Sequence, residues 1–249
     1  MTPEAELKEI VSSLKKLILV NQEMGVGVPP VPAGIPEYLE EKASEDIVSS
    51  DPLSGLNSLE NLEAHIGDCR RCKLSKGRTK LVFGEGLSRA KLVFVGEGPG
   101  KEEDLAGRPF VGEAGKLLTK IIEAMGLTRE KVYICNVVKC RPPGNRDPEN
   151  DEIEACIPFL KKQISIIKPE VICVLGRIAG QTLLGSDFKI TRDRGKWFSC
   201  MDIPLMPTYH PSYITRSSGA RERDLKGQVW DDMKMIMARL GLEAKKSGG

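Results

Sequence analysis

Four short apolar runs, separated by stretches with helical periodicity, constrain the fold of this chain more than any other feature of its sequence. The runs are KLVFV, KVYICNVV, VICVLG and IPLMPTYH. Short, continuously apolar strands that alternate with amphipathic helices are typical of a parallel sheet covered by helices on both faces. We therefore predict an α/β fold, a three-layer α/β/α sandwich with a central four-stranded parallel sheet.

The alternating pattern begins near residue 57, and the region before it differs in charge. Residues 1–56 contain four Lys, no Arg and ten acidic residues, a net charge of −6, whereas the rest carries 33 basic and 25 acidic side chains, a net charge of +8. The segment ELKEIVSSLKKLILV has helical spacing, and an acidic stretch rich in proline and glycine follows it. We predict an N-terminal helix and linker over 1–56, the main domain over 57–242 and a flexible tail over 243–249.

The charge division leaves the role of each part open. A basic domain is a candidate for binding nucleic acid. The N-terminal helix either docks on the main domain or recruits a partner, such as a replication or repair protein. No apolar run approaches the roughly 20 residues that span a bilayer, and no basic segment precedes an apolar block at the N-terminus. We expect a cytosolic monomer that has no membrane partner.

Seven cysteines, an odd number without an export signal, indicate free thiols or metal ligands. Cys69 and Cys72 form a C-x2-C pair, and Cys140 and Cys156 form a wider pair. Two pairs from distant parts of the chain are typical of a four-thiolate site, and their spacing fits zinc or a [4Fe-4S] cluster equally. The remaining cysteines are predicted to be structural: Cys135, Cys173 and Cys200.

The stretch GEGPGKEEDLAGRPFVGEAG follows the first apolar run, at Gly96–Gly115. Ligands of open α/β sheets bind beyond the carboxyl ends of the strands, so this turn is a candidate site. Glycine-rich turns at such ends often bind phosphate, but this one carries Glu97, Glu103 and Asp104. Like charges repel, so the turn is better suited to a group that becomes positive than to a phosphate.

Several stretches, taken in order, resemble the family 4 uracil-DNA glycosylases, the iron-sulfur branch of their superfamily. They are GEGPGKEED, GRPFVGEAG, NVVKCRPPGNRDP, the EAC that ends at Cys156, and HPSYI, with the C-x2-C upstream. The resemblance covers about residues 57–242. It implies an enzyme that flips uracil out of single- or double-stranded DNA and hydrolyses its N-glycosidic bond, leaving an abasic site. It also implies that the two cysteine pairs hold a [4Fe-4S] cluster.

The resemblance gives roles to four residues of the base pocket. The amide of Asn136 matches O4 and N3–H of uracil and mismatches cytosine. Phe110 stacks on the flipped base. His210 donates a hydrogen bond to uracil O2 and stabilises the leaving anion, and backbone N–H groups around Gly98 also hold O2.

Two carboxylates complete the predicted catalytic set. Better-known relatives carry a water-activating aspartate just before the motif proline, but here that position is Gly98, which leaves the water activator open. Glu97 is our first choice for positioning water or stabilising the cationic sugar. The resemblance places Glu103 near uracil C5, where it would exclude the methyl group of thymine.

The segment after His210 is predicted to contact DNA. Ser212 and Arg216 suit phosphate, and Tyr213 or Ile214 would fill the gap left by the flipped base. The self-crosslinking sister group carries a basic loop that ends in histidine, whereas CRPPGNRDP contains no histidine. We therefore expect turnover rather than covalent capture of DNA.

Two alternatives to an enzyme remain open. One is an iron-sulfur DNA-binding module without catalytic activity, recruited to repair or replication. The other is a structural domain that binds zinc. The joint presence of Asn136, Glu97 and His210 favours the enzyme, because a module that only binds DNA has no need of all three.

Overall fold

The structure of the chain is a computed structural model, and it describes residues 52–242. The chain divides into two units, Met1–Pro52 and Leu53–Gly249. The predicted N-terminal helix, its linker up to residue 51 and the tail over 243–249 lie outside the described residues.

One mixed sheet of six strands forms the centre of the described domain, in the order β1-β3-β2-β4-β6-β5. The four inner strands are parallel, which confirms the predicted central sheet. The two edge strands are antiparallel to their neighbours and were not predicted, because two or three residues are too few to show a periodic pattern. The strands are β1 (Glu85–Gly86), β2 (Leu92–Gly96), β3 (Tyr133–Asn136), β4 (Val171–Leu175), β5 (Phe198–Cys200) and β6 (Ile203–Thr208).

Eight α-helices lie within residues 52–242. Five of them match helices that the sequence pattern predicts, in SLENLEAHIGDC, GKLLTKIIEAMG, PENDEIEACIPFLKKQISIIK, RIAGQTLLG and the segment from about Arg221 to Leu240. The three that were not predicted, α2, α6 and α7, have four to six residues each and lie in segments that read as turns. The helices are α1 (Leu59–Ile66), α2 (Lys101–Ala106), α3 (Glu113–Ala124), α4 (Asn150–Ile167), α5 (Arg177–Leu184), α6 (Ile190–Asp193), α7 (Pro211–Thr215) and α8 (Gly219–Leu240). None of the described helices is both long and apolar enough to cross a membrane.

The sheet separates two apolar cores. Along β2, Val93 and Val95 point into a core that includes residues of α1 and α4, whereas Leu92 and Phe94 point into a second core with residues of α3 and α8. Successive side chains of a strand point to opposite faces, so a strand buried on both faces must be apolar throughout. Helices on both faces give the three layers that the sequence predicted.

Candidate active site

A cavity of about 830 Å³ opens at the carboxyl ends of the parallel strands. The loops after β2, β3, β4 and β6 all contribute to its wall, as the topology of an open α/β sheet requires. It brings together nearly all the residues that were predicted from the motifs. Those lining it are Glu97, Gly98, Glu103, Phe110, Asn136, His210, Ser212, Tyr213 and Arg216.

Asn136, the last residue of β3, carries a buried acceptor without a partner. The residue is 2% exposed, and its Oδ1 has no hydrogen-bond partner among the described residues. Buried polar atoms are almost always hydrogen-bonded, so an orphaned acceptor in a cavity wall indicates a ligand with a donor. Gly96 pairs with Asn136 in the sheet, and a Cβ on Gly96 would lie 2.4 Å from this Oδ1. Glycine at position 96 therefore leaves room for the Asn136 amide.

Phe110 forms the wall next to Asn136. It is buried, its ring centroid lies 5.5 Å from that of His210, and a Cβ on Gly96 would lie 2.6 Å from its Cζ. Its φ is 53°, in the left-handed region that a bulky side chain rarely adopts. Such backbone strain is maintained only where the surroundings hold it, and it is concentrated at functional sites.

Glu103 is hydrogen-bonded to the backbone through both of its carboxylate oxygens. It is buried, its Oε1 accepts hydrogen bonds of 2.9 Å from the N–H groups of Val111 and Gly112, and its Oε2 accepts one from Gly100 N–H at 3.1 Å. These bonds cap α2 and fix the two residues after Phe110. The geometry therefore corrects the expectation that Glu103 is catalytic, because both of its carboxylate oxygens already accept hydrogen bonds from backbone N–H groups.

Glu97 lies directly after β2 and is half-buried in the cavity wall. Burial raises the pKa of its carboxyl from 4.5 to about 7, and the negative charge of Asp147 adds to this rise, whereas Arg177 and Arg216 oppose it. A carboxyl with a pKa near neutrality exchanges protons readily at physiological pH. Such perturbed groups in clefts are candidates for acid–base work.

Asp147 and Arg177 also line the cavity, although the sequence motifs did not single them out. Arg177 Nη2 lies 2.5 Å from Asp147 Oδ2, and this ion pair links the loop after β3 to the first residue of α5 beside Glu97. Arg177 follows the third parallel strand, so the rule that ligands bind at strand ends could have found it. Asp147 could be placed in the cavity wall only from the tertiary structure, because it lies far from the end of β3 in its loop.

His210 has a defined tautomer. It is the N-cap of α7, and its Nδ1 accepts the backbone N–H of Ser212 at 3.1 Å. An acceptor nitrogen carries no proton, so the neutral ring is protonated on Nε2. Burial lowers the pKa of His210 to about 4; Arg216 lowers it further and Glu103 opposes the shift. The cavity therefore receives a neutral imidazole that donates from Nε2.

A pH titration by ¹H–¹⁵N NMR is expected to find His210 neutral from pH 5 to pH 8, with its proton on Nε2. The reason is the pKa of about 4, which leaves the ring uncharged until the solution is more acidic than this range. The sequence contains only one other histidine, His65, so the ring signals of His210 have to be told apart from only one other set. A charged His210 ring at pH 6 would contradict the assignment.

The short helix α7 presents the predicted DNA-contacting residues, with one exception. Tyr213 is 39% exposed and its hydroxyl accepts a hydrogen bond of 3.0 Å from Arg221, and Arg216 is exposed beside it. Ile214 is 1% exposed and packs in the core that contains α3 and α8. The structure therefore corrects the expectation for Ile214, which is not available to enter DNA, and leaves Tyr213 as the wedge candidate.

The four predicted ligand cysteines lie along one apolar core. Cys140 is buried in it, and the other three pack against it: Cys69, Cys72 and Cys156. Arg78 Nη1 donates to Cys140 Sγ at 3.3 Å, and Arg71 Nη1 donates to Cys69 Sγ at 3.4 Å. Within residues 52–242, no three or more Cys, His, Asp or Glu side chains are grouped closely enough to hold a single metal ion.

Comparison with known proteins identifies the family. Residues 83–234 match the model of the uracil-DNA glycosylase superfamily. The chain belongs to the uracil-DNA glycosylase superfamily. It is 51% identical over 183 residues to a type-4 uracil-DNA glycosylase of Sulfurisphaera tokodaii, a match that covers 69% of this chain and 83% of the relative.

Two further type-4 uracil-DNA glycosylases support the same branch. The one from Thermotoga maritima is 46% identical over 180 residues, which is 71% of this chain and 91% of the relative. The one from Saccharolobus solfataricus is 47% identical over 166 residues, which is 63% of this chain and 77% of the relative. These matches confirm the resemblance to the type-4, or family 4, branch of the superfamily.

Proposed function

We propose that this protein is a monofunctional uracil-DNA glycosylase, which flips uracil out of DNA and hydrolyses its N-glycosidic bond to leave an abasic site. The observation that carries the proposal is the buried, unpartnered Oδ1 of Asn136 beside the ring of Phe110 in the cavity wall. Together they provide one hydrogen-bond acceptor and one stacking surface, which are the minimum needed to read a flipped pyrimidine. The type-4 relatives support the same activity.

Recognition of uracil follows from the chemistry of this acceptor. Uracil presents a donor at N3–H, which Asn136 Oδ1 accepts, and an acceptor at O4 for the amide nitrogen. Cytosine presents a bare nitrogen at position 3, which would face the carbonyl oxygen and leave both acceptors unpaired. A site whose buried groups bond the edge of uracil rejects cytosine strongly, because cytosine would leave those groups without hydrogen bonds.

Departure of the base requires stabilisation of negative charge on uracil. His210 donates from Nε2, and a neutral imidazole suits this task because it needs no change of charge before the reaction. Gly98 lines the same wall, and we assign the backbone N–H groups around it as further donors to uracil O2. A Cβ on Gly98 would lie 2.7 Å from Val138 Cγ2, so glycine permits the turn to pack this closely. Preorganised donors at a developing anion are usually the largest electrostatic contribution to catalysis.

The sugar becomes cationic as the base leaves, and Glu97 is the carboxylate placed to respond. In its ionised form it stabilises the oxocarbenium-like sugar and orients the attacking water by accepting a hydrogen bond from it. Its position at the end of β2 and its raised pKa support this role. Glu103 then shapes the pocket wall near uracil C5 through the backbone groups that it holds.

Contacts to the DNA strand on either side of the flipped base are assigned to α7 and its C-cap residue. Arg216 and Ser212 suit phosphate oxygens, and Tyr213 is the exposed ring that would occupy the gap in the base stack. Phosphate contacts fix the strand without reading sequence. This agrees with an enzyme that must find uracil in any sequence context.

We also propose that Cys69, Cys72, Cys140 and Cys156 hold a [4Fe-4S] cluster. Four soft thiolate ligands suit such a cluster, and the guanidinium groups of Arg71 and Arg78 lie at hydrogen-bond distance from the sulfurs of Cys69 and Cys140. Zinc would draw all four sulfurs to about 2.3 Å from one point, whereas the thiolates of a four-iron cluster each bind a different iron. When bound, the cluster supplies a rigid crosslink between the two cysteine pairs, since glycosidic hydrolysis transfers no electron.

A Cys69→Ser variant, purified without oxygen, is expected to lose the brown colour and visible absorption of the iron-loaded protein. The reason is that one of the four thiolate ligands is removed. The matched control is Cys200→Ser in β5, which lies outside the two pairs and should keep both the colour and four irons per chain. Colourless wild-type protein that binds one zinc ion per chain would contradict the cluster.

The decisive test of function uses oligonucleotides that contain one uracil, single- or double-stranded. The purified protein should release free uracil and leave a site that breaks only after alkali treatment. The same oligonucleotide with cytosine in place of uracil should remain intact. Binding to the uracil strand without release of uracil would instead favour the module that binds DNA without catalysis.

A further inference from the structure

The backbone around Phe110 is held from both sides. On the side after the ring, Glu103 accepts the N–H groups of Val111 and Gly112. On the side before it, Arg129 donates from Nη2 to Pro109 O at 2.7 Å and from Nη1 to Phe110 O at 3.0 Å. Each of the four consecutive residues 109–112 therefore has one backbone group that is hydrogen-bonded to a side chain, either the carboxylate of Glu103 or the guanidinium of Arg129.

Arg129 comes from a part of the chain that none of the uracil-DNA glycosylase motifs includes. It opens a short 3-10 helix, Arg129–Lys131, just before β3. Its Nη1 also donates to Thr119 Oγ1 of α3 at 3.1 Å, and its Nε donates to Glu85 of β1 at 2.9 Å. The side chain is only 15% exposed and that of Glu85 19%. A guanidinium with this many fixed partners is held in one geometry, because its donors form a rigid fork.

The conformation that Arg129 holds is one that Phe110 would not adopt by preference. A φ of 53° lies in the left-handed region, which is unfavourable for a phenylalanine. Close packing also fixes the carbonyl that Arg129 binds, since a Cβ on Gly115 of α3 would lie 2.0 Å from Phe110 O. Loss of the bonds to the two carbonyls would let the backbone relax, and the ring would leave its place beside Asn136.

We propose that Arg129 is a positioning residue for the base-stacking ring of Phe110, acting on the flipped uracil only through the backbone of Pro109 and Phe110. The inference rests on the proposed function, because it assumes that Phe110 stacks on a base. Arg129 touches neither the cavity nor the reacting atoms. Its effect on the reaction should therefore disappear when the ring is absent.

The chain offers a matched control in Arg108. This arginine pairs with the same Glu85, at 2.7 Å, but from the solvent side with 63% of its side chain exposed. Among the described residues, Arg108 makes no hydrogen bond to the carbonyls of Pro109 and Phe110, which Arg129 binds. A comparison of Arg129→Met with Arg108→Met therefore separates the loss of the carbonyl bonds from the loss of a Glu85 ion pair.

The experiment is a double-mutant cycle on the full chain, with uracil release from a single-stranded oligonucleotide as the first readout. Arg129→Met is expected to lower kcat/KM by roughly tenfold to a hundredfold, because a displaced positioning contact costs this much. Arg129→Lys should recover part of the loss, since an ammonium can reach one carbonyl. Arg108→Met should stay within about twofold of wild type. In a Phe110→Ala background, Arg129→Met should have no further effect.

Hydrogen exchange of the free protein gives a second readout that does not depend on activity. Arg129→Met should speed exchange of the amides of Val111 and Gly112, whereas Arg108→Met should leave them unchanged. Equal loss of activity with and without the Phe110 ring, or unchanged exchange, would overturn the proposal. If Arg129→Met does not fold, Arg129→Lys in both backgrounds answers the same question. An inactive wild-type protein would contradict the proposed function, while the exchange result would still decide whether Arg129 holds this backbone.

Discussion

An Asn136→Ala variant is expected to release uracil about a hundredfold more slowly than wild type, in terms of kcat/KM, while it unfolds at nearly the same temperature. A hundredfold loss corresponds to about 2.7 kcal/mol of transition-state stabilisation. This is the scale expected when a buried polar group of the site can no longer bond the base. Stability should change little, because the Oδ1 that is removed has no partner within the described part of the chain.

Slower uracil release at an unchanged unfolding temperature would show that Asn136 acts in recognition of the base and not in folding. Most buried asparagines stabilise their protein through hydrogen bonds, so their loss lowers activity and melting temperature together. The backbone contact of this strand end survives the change, since Lys139 Nζ bonds the carbonyl of Asn136 at 2.8 Å and not its side chain.

Uracil release and thermal unfolding, measured on the same preparation, provide the test. Thr191→Ala, an exposed residue of the same cavity wall, is the control and should retain wild-type activity. An Asn136→Ala variant with full activity would remove the residue from base recognition, and with it the observation on which the proposed function depends.

A Glu97→Gln variant is expected to lose roughly a hundredfold to a thousandfold in kcat, and to lose the pH dependence of the wild type. Groups that activate or position water in a transition state contribute on this scale. With a pKa of about 7, Glu97 changes from mostly protonated at pH 6 to mostly ionised at pH 8. If the carboxylate is the working form, wild-type activity rises with pH through this range, and glutamine abolishes the rise.

The same substitution should stabilise the protein at pH 8 but not at pH 4. The carboxyl ionises near 4.5 in the unfolded chain and near 7 in the folded protein, so between these values the folded state holds a proton that the unfolded state has lost. Stability associated with this group is therefore complete below 4.5 and is lost as the pH rises through 7. Glutamine does not ionise, so thermal unfolding should show a gain only at the higher pH.

Substitutions of the charged neighbours of Glu97 should shift the pH profile of activity in opposite directions. Asp147→Asn removes a negative charge that raises the pKa of Glu97, so the rise in activity should move to lower pH. Arg177→Ala removes a positive charge that lowers it, so the rise should move to higher pH. Glu102→Gln, an exposed carboxylate on the same cavity wall, should leave the profile unchanged. A profile that ignores both Asp147 and Arg177 would show that Glu97 does not produce it.

Strong local patterns account for what was predicted correctly about the fold. The four parallel strands are apolar throughout because both faces are buried, and the long helices show periodicity over several turns. The short elements escaped prediction because their stability comes from tertiary contacts. Helix α7, for instance, has five residues and is capped by the ring of His210. Its exposed Tyr213 and buried Ile214 could not be told apart from the letters HPSYI.

The roles of the two glutamates illustrate the same limit at the site. Both lie in GEGPGKEED, and sequence patterns treat them as equivalent carboxylates of one loop. The structure separates them, because Glu103 is bonded to three backbone N–H groups whereas the pKa of Glu97 is raised by burial. Arg129 was missed for a related reason. Its partners are backbone carbonyls about twenty residues away, and such bonds leave no motif.

The sequence by itself determined the α/β architecture, the branch of the superfamily and the cavity at the strand ends, because these depend on local periodicity and on motifs that are contiguous in the chain. Only the tertiary structure decided which carboxylate is bonded to the backbone, which residue of α7 is exposed, and which side chains bond the backbone around Phe110. Those properties depend on burial and on bonds between distant residues. They arise when the loops after four strands meet at the carboxyl ends of those strands.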